Sequence, residues 1–386
     1  MPPKPEHSKF SPSGAKKWMS CHLSLALEET LPPESGPKPA ADYGSLCHLI
    51  SEEYLDKGTK CHTRLGEIHF GQVVDDEAVE VARVYTEYCE SLVNQYLFSH
   101  SYDVEGKVDL HTHGLPEVYG TADFTLTSGP DSVAYVVDLK AGSGVMVYPD
   151  NPQLKIYALG ALGKYVWDYE VINLVIVQPR AKSGDKVRVH STTPKELMKF
   201  LTDELMPAVT AINDGSTISA PSASNCQWCR AKGICKPFQE AAQLEAQDVF
   251  SPVSDKKSIG TAVDQMSNDD ILDSFEKLPL LSMFVKAVEA RAYEITESNQ
   301  TDRYKLVKGR NKRTWISELQ MKEFCNQNGL DSTEPGKLLS PAKLEKLLGK
   351  GKSKLKDLIQ NESGKPIIAK ADDKREAVNN LKEIFS

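Results

Sequence analysis

The stretch Gly120-Thr-Ala-Asp123, followed by Val136-Val-Asp138-Leu-Lys140-Ala-Gly142, decides how this chain is read. Alternation along a strand puts Asp138 and Lys140 on one face and Leu139 in the core, while Asp123 lies on the neighbouring strand. Two carboxylates can then converge beside a lysine. Hard oxygen ligands suit Mg²⁺ or Mn²⁺, which keep several waters and are held by one or two carboxylates plus substrate phosphate. A lysine beside them can orient or help deprotonate a metal-bound water and offset charge developing on a phosphate, the chemistry of metal-assisted phosphodiester hydrolysis. An isolated D-x-K on a strand reads as an edge-strand salt bridge, so its surroundings matter.

Those surroundings are a meander of period-two, β-branched segments, Tyr102–Leu110, Val118–Leu126 and Val133–Leu139, joined by short turns. Asn151-Pro152 then opens a helix with Leu154, Tyr157, Ala158, Ala161 and Leu162 inward, before strands Val171–Val177 and Lys186–His190 and a long helix from Pro194 to about Asn213. Upstream, Ser11-Pro12-Ser13 predicts one helix from Pro12 to Glu29 that carries Cys21. Asp42 caps a second helix, with Leu46, Leu49 and Ile50 at helical spacing, that stops before Gly58. A third spans Asp76 to Gln95, with Val81, Tyr85, Tyr88 and Leu92 as its buried stripe. The expectation is an α/β (α+β) core: a central mixed sheet flanked by helices.

Composition sets the outer bounds. The 386 residues are 40% hydrophobic and 26% charged, enough for a sizeable core, and the longest candidate span, the mostly apolar Val171 to Val177, is strand-sized rather than the ~20 residues of a membrane span. The start Met-Pro-Pro-Lys-Pro-Glu-His-Ser-Lys lacks the apolar stretch of a signal peptide, so a cytoplasmic, reducing location is expected and the eight cysteines point to metal binding or burial rather than disulfides. Residues 251–386 carry 24 Lys+Arg against 21 Asp+Glu, whereas 1–250 carry 22 against 33, so the overall charge of −8 neither supports nor excludes a nucleic-acid partner.

His48, on the second predicted helix, can add a metal ligand; its bland reading is a core histidine satisfied by Glu52, four residues on. Gln153 and Tyr157 stand i,i+4 on the helix after the D-x-K strand and can face the same site, though Tyr157 also reads as a core aromatic. The ordered set Gly44-x-x-x-His48, Gly120-x-x-Asp123, Asp138-x-Lys140 and Gln153-x-x-x-Tyr157 resembles the RecB-type branch of the PD-(D/E)xK nucleases, over about residues 10–240. The resemblance implies a restriction-endonuclease-like core in which His48, Asp123, Asp138 and the main-chain carbonyl of Leu139 bind the divalent metal. Lys140 is then the catalytic lysine, and Gln153 and Tyr157 organise the site and the DNA backbone. Glu105, on the preceding strand, is an extra acidic candidate whose bland reading is a solvated strand face. The acidic residue of D-x-K is Asp138 where many relatives have Glu, a substitution common in this branch.

Cys226-Gln-Trp-Cys229-Arg-Ala-Lys-Gly-Ile-Cys235 gives C-x2-C-x5-C, and spacing alone makes zinc the default. The same branch includes AddB-like nucleases in which one cysteine before the nuclease motifs and three after them hold a [4Fe–4S] cluster; Cys21 matches the leading position and Cys226, Cys229 and Cys235 the trailing three. Cys47, Cys61, Cys89 and Cys325 lack such spacing and read as buried small hydrophobes.

Beyond Phe238 the chain turns Lys-rich, with helical patterns at Asp269–Thr296, Ile316–Asn328, Ser340–Gln360 and Asp373–Phe385. The expected organisation is a nuclease domain over 1–240 closed by the cysteine cluster, a linker over 241–265, and a basic, mostly helical accessory domain over 266–386. Within Tyr304–Trp315, Lys308, Arg310, Lys312, Arg313 and Trp315 could track a phosphate backbone and stack on bases, or could form a solvated basic hairpin. By resemblance the whole is a phage- or prophage-encoded exonuclease acting on linear duplex ends and single strands, beside a single-stranded-DNA-binding or annealing protein. A structure-specific or nicking endonuclease and a non-catalytic DNA-end or partner-binding protein are the rival classes.

Overall fold

The computed structural model describes residues 8–32, 38–96, 100–250, 263, 266–298, 300–334 and 337–378. It divides into two compact units, Met1–Met283 and Phe284–Ser386. Part of the expected linker, residues 251–262 and 264–265, lies outside the described residues.

The first unit is mixed α/β. Its helices α1 (Ala15–Ser20), α2 (Leu23–Glu29), α3 (Pro39–Lys57) and α4 (Asp76–Gln95) precede the sheet, with a small hairpin of β1 (Ile68–His69) and β2 (Gln72–Val73) between α3 and α4. The sheet has the order β3 (His100–Leu110), β4 (Leu115–Ser128), β5 (Val133–Leu139), β6 (Val171–Val177) and β7 (Val187–Thr192). Only β5 and β6 run parallel, and α5 (Pro152–Leu162) connects them. Asn151 caps α5 by accepting from Leu154 N–H at 3.0 Å, with Pro152 at the first helical position where its missing N–H costs nothing. Helices α6 (Pro194–Phe200) and α7 (Met206–Asn213) are joined through a π turn at Leu201–Leu205, so the expected long helix is continuous but widened in its middle.

Two apolar layers cover the sheet. Trp18, Leu154, Ala158, Leu159, Leu197 and Val209 pack on one face, while Leu46, Ile50, Val81, Tyr85 and Leu92 of α3 and α4 pack on the other. Strands β3 and β4 change allegiance part-way. Val104, Phe124 and Leu126 belong to the α3/α4 layer, but Val108, Ala122 and Val118, at the same parity, belong to the α5 layer. The switch falls between Val104↔Phe124 and Gly106↔Ala122, so Glu105 and Asp123 face each other where the strands turn over.

Two local expectations are corrected. The helix predicted over Pro12–Glu29 breaks at Cys21 (φ −136°, ψ 87°), because Cys21 leaves the helical region although the apolar pattern runs on. Lys38, not Asp42, occupies the cap of α3; Asp42 sits in the first turn and accepts from Lys38 N–H at 3.1 Å.

Further along are α8 (Ala223–Cys226), α9 (Lys236–Phe250) and α10 (Asn268–Glu297). The second unit pairs two long antiparallel strands, β8 (Tyr304–Trp315) and β11 (Ile359–Lys370), around α11 (Glu318–Gln327), a hairpin of β9 (Thr333–Glu334) and β10 (Lys337–Leu338), and α12 (Pro341–Leu348). Met321, Cys325, Leu339, Leu344 and Leu355 form its core. The helix read over Ser340–Gln360 stops at Leu348 and continues as 3-10 turns, and residues 373–378 are turn and bridge rather than helix; the rest of the Asp373–Phe385 segment lies outside the described residues. Among the described residues no helix is long and apolar enough to cross a membrane.

Candidate active site

Strand register assembles the site. The β4–β5 ladder ends at Phe124↔Val137, one step short of Asp123 and Asp138, and there the Asp123 carboxylate accepts from Leu139 N–H at 2.7 Å. The Leu139 N–H thus ties β5 to the Asp123 carboxylate, and Lys140 N–H extends the parallel pairing to Val177 O at 2.8 Å. From α3, His48 Nδ1 comes within 3.4 Å of Glu105 Oε1 and 3.6 Å of Asp123 Oδ2. Among the described residues, His48, Glu105 and Asp123 bring three potential ligand atoms within 4.8 Å of one another. His48 therefore pairs with these carboxylates, and not with Glu52.

Glu105 reaches this position through a left-handed backbone, φ +47°, an expensive conformation for a side-chain-bearing residue in a strand. Of the two readings the sequence offered for Glu105, an extra acidic group at the site or a solvated strand face, the turnover of β3 gives the first. Its neighbour Gly106 was the available hint, since strand glycines often mark such irregularities.

Asp138, 1% exposed, makes a second constellation. Lys140 Nζ stands 2.7 Å from Asp138 Oδ2 and donates to Gln153 Oε1 at 3.2 Å. Gln153 Nε2 donates to Asp138 Oδ1 at 3.0 Å and to Tyr157 Oη at 3.2 Å, so α5 fixes both members of the ion pair. Tyr157 is at once a core residue and the far end of this network. Gly120 of the G-x-x-D stretch admits it: a Cβ there would stand 3.0 Å from Pro12 Cδ and 3.5 Å from the Tyr157 ring.

Charge is concentrated here. Burial pulls the His48 pKa down, but Asp123, Glu105 and Asp138 outweigh it and lift it to about 9. Burial raises Asp123 to about 7, against the pull of His48 and with the push of Asp138. Burial also opposes the charge on Lys140, yet Asp138 and Asp123 prevail and raise its pKa, so it stays an ammonium at neutral pH.

Cys21, Cys226, Cys229 and Cys235 line one pocket with Leu23, Leu27 and Phe238. Leu23 N–H donates to Ile218 O at 3.1 Å, and Glu28 accepts from Lys17 Nζ at 2.6 Å and Arg230 N–H at 2.8 Å, so protein contacts flank the leading and trailing cysteines and tie the two segments together. Burial raises the thiol pKa values of Cys226, Cys229 (to about 11) and Cys235.

The family model described as "Protein of unknown function (DUF2800)" matches residues 7–376. The chain belongs to the DUF2800 family. Within this DUF2800 chain, the strand Tyr304–Trp315 leaves Lys308, Arg310 and Lys312 solvent-facing, whereas Arg313 pairs with Glu345 at 2.7 Å. Trp315, half-buried, packs against the second unit's core and donates from Nε1 to Leu339 O at 2.8 Å. Cys47, Cys61, Cys89 and Cys325 are buried as expected.

Proposed function

We propose that this DUF2800 chain is a metal-dependent DNA exonuclease that degrades linear duplex from its ends, phage-encoded and serving recombination or replication beside a single-stranded-DNA-binding or annealing protein. The observation that carries this reading is the convergence of His48, Glu105 and Asp123 beside the Asp138–Lys140–Gln153 network. The motif order, resembling the RecB-type PD-(D/E)xK nucleases, supports it.

An imidazole with two carboxylates suits Mg²⁺ or Mn²⁺, and the close approach of His48, Glu105 and Asp123 fits such an ion, with Asp138 adjoining. Bound there, a divalent cation supplies Lewis-acid charge to a phosphate oxygen. Lys140, held charged by Asp138 and Asp123, offsets charge developing on the phosphate and offers N–H donors at Nζ. Gln153 holds Nζ in place, and Tyr157 anchors Gln153 in turn. The four cysteines, which line one pocket, would hold a [4Fe–4S] cluster, with zinc the alternative, and so close the domain, as the resemblance to AddB-like nucleases implies.

The test is digestion of end-labelled linear duplex beside a covalently closed circle, in Mg²⁺ and in Mn²⁺, with Lys140→Ala and Asp138→Ala as controls. Loss of linear DNA alone, abolished by either substitution, is expected. Cutting of the circle would replace the exonuclease by an endonuclease, and no cutting in either metal would leave a DNA- or partner-binding role.

A further inference from the structure

Lys140 and Gln153 are joined by a loop, residues 141–151, whose conformation sets how the end of β5 meets the start of α5. One buried side chain holds that loop. Gln178, 1% exposed and just past the end of β6, donates from Nε2 to Gly142 O at 2.9 Å and Val145 O at 2.8 Å. Its Oε1 accepts from Val147 N–H at 3.2 Å and Arg188 Nη2 at 2.6 Å. All four hydrogen-bonding positions of the amide are thus used, three of them on one loop. Arg188 adds a bond from Nε to Val147 O at 2.9 Å, and Arg180 one from Nη1 to Ala141 O at 3.3 Å while pairing with Glu77 at 3.0 Å and covering the Tyr43 ring. The corner between β6 and β7 therefore grips the loop at Ala141, Gly142, Val145 and Val147.

We propose that Gln178, seconded by Arg188, is a positioning residue that sets the distance between Lys140 and Gln153 and so keeps the Lys140 ammonium on Asp138. A buried amide with every position satisfied specifies a single loop conformation, because any other leaves polar groups unpaired in the interior. Gln178 touches none of the reacting groups and acts through the loop. The inference rests on the nuclease reading for its consequence, but its geometry does not need that reading.

Gln178→Glu is nearly isosteric and keeps a partner for Arg188, yet loses both donors to Gly142 and Val145. Three readouts are taken on the full chain: hydrogen exchange over residues 141–151, amine acetylation of Lys140 followed by mass spectrometry, and steady-state kinetics on linear duplex. Faster exchange confined to the loop, faster labelling of Lys140, and a kcat lowered about 100-fold with KM and Mg²⁺ requirement unchanged are expected, since misplacement of order 1 Å costs about that much. Unchanged exchange or labelling, or an unchanged kcat, overturns the proposal. Should exchange rise throughout the molecule, Arg188→Lys, which keeps the charge but not the fork, decides on the same three readouts. If the wild type cuts nothing, the nuclease reading fails on its own and the positioning role stands or falls on Lys140 labelling.

Discussion

Helix α5 carries Gln153 and Tyr157 and rests on β3 through Gly160, which makes Gly160→Ala a sharp probe of the site's rigidity. A Cβ at this position would stand 2.8 Å from Val108 Cβ and 3.3 Å from Asp109 N. Neither neighbour can swing aside: one is the branch point of a buried valine and the other is ladder backbone. Carbon atoms in contact settle near 3.5 Å or more, so the helix must move by about 0.7 Å. Overpacking of this kind costs ~1–3 kcal/mol, and the better helix propensity of alanine returns ~1 kcal/mol, leaving a net loss of about 1 kcal/mol. The larger effect is on geometry. A displacement of that size at Gln153 loosens its hold on Lys140 and Asp138, and a kcat lower by about 100-fold is expected. Urea unfolding gives the stability change and end-labelled duplex digestion the rate. An alanine variant as stable as the wild type or more so, with full activity, would show that α5 does not lean on β3 at this point and would refute the reasoning.

Further outcomes follow from the same structure. His48 has a folded-state pKa of about 9, above its unfolded value near 6.5, so its contribution is complete below pH 6.5 and lost as the pH rises through 9; Asp123, at about 7, no longer changes above that value. The melting temperature of metal-free protein should therefore fall between pH 7 and 9, and His48→Gln should flatten that slope. Glu105→Gly relieves the left-handed backbone at φ +47° and should raise stability by ~1 kcal/mol while weakening Mn²⁺ binding measured by calorimetry; loss of both would mean the glutamate is a structural residue. Cys229→Ser should lower bound iron or zinc and the melting temperature together, and a variant with unchanged metal content would remove the cluster. Alanine at Lys308, Arg310 or Lys312 should weaken DNA binding uniformly and reduce the salt slope by about one each, whereas Trp315→Phe should lower stability without altering that slope.

Much of the first unit was legible from local pattern. Strand β6 matched its expected bounds because Val171–Val177 is apolar at every position but Asn173, the signature of a strand covered on both faces. Helix α4 matched because Asp75 and Asp76 mark its start and its apolar stripe keeps period. The pairing of Asp138, Lys140, Gln153 and Tyr157 followed from alternation on one strand and i,i+4 spacing on the next helix. Glu105 was legible only as an extra acidic candidate beside a solvated-face reading, because the change of strand face that brings it to His48 and Asp123 has no signal at Glu105 itself. The break at Cys21 escaped for a related reason, since periodicity runs through it and only backbone angles reveal it. In the second unit, β8 and β11 pair across some fifty residues, and such long-range pairing leaves no local trace in Lys-rich sequence that also suits helix.

The joining of the first helices to residues 218–235 also orders events during synthesis. A ribosome releases α1 and α2 first, but Ile218 and Arg230, which receive Leu23 and Glu28, emerge some two hundred residues later. Trp18 can seat against Phe10 and the α5 layer before then, but Cys21 waits for Cys226, Cys229 and Cys235. If the four cysteines hold a metal as proposed, its loading must wait for Cys235 and so comes late in biogenesis.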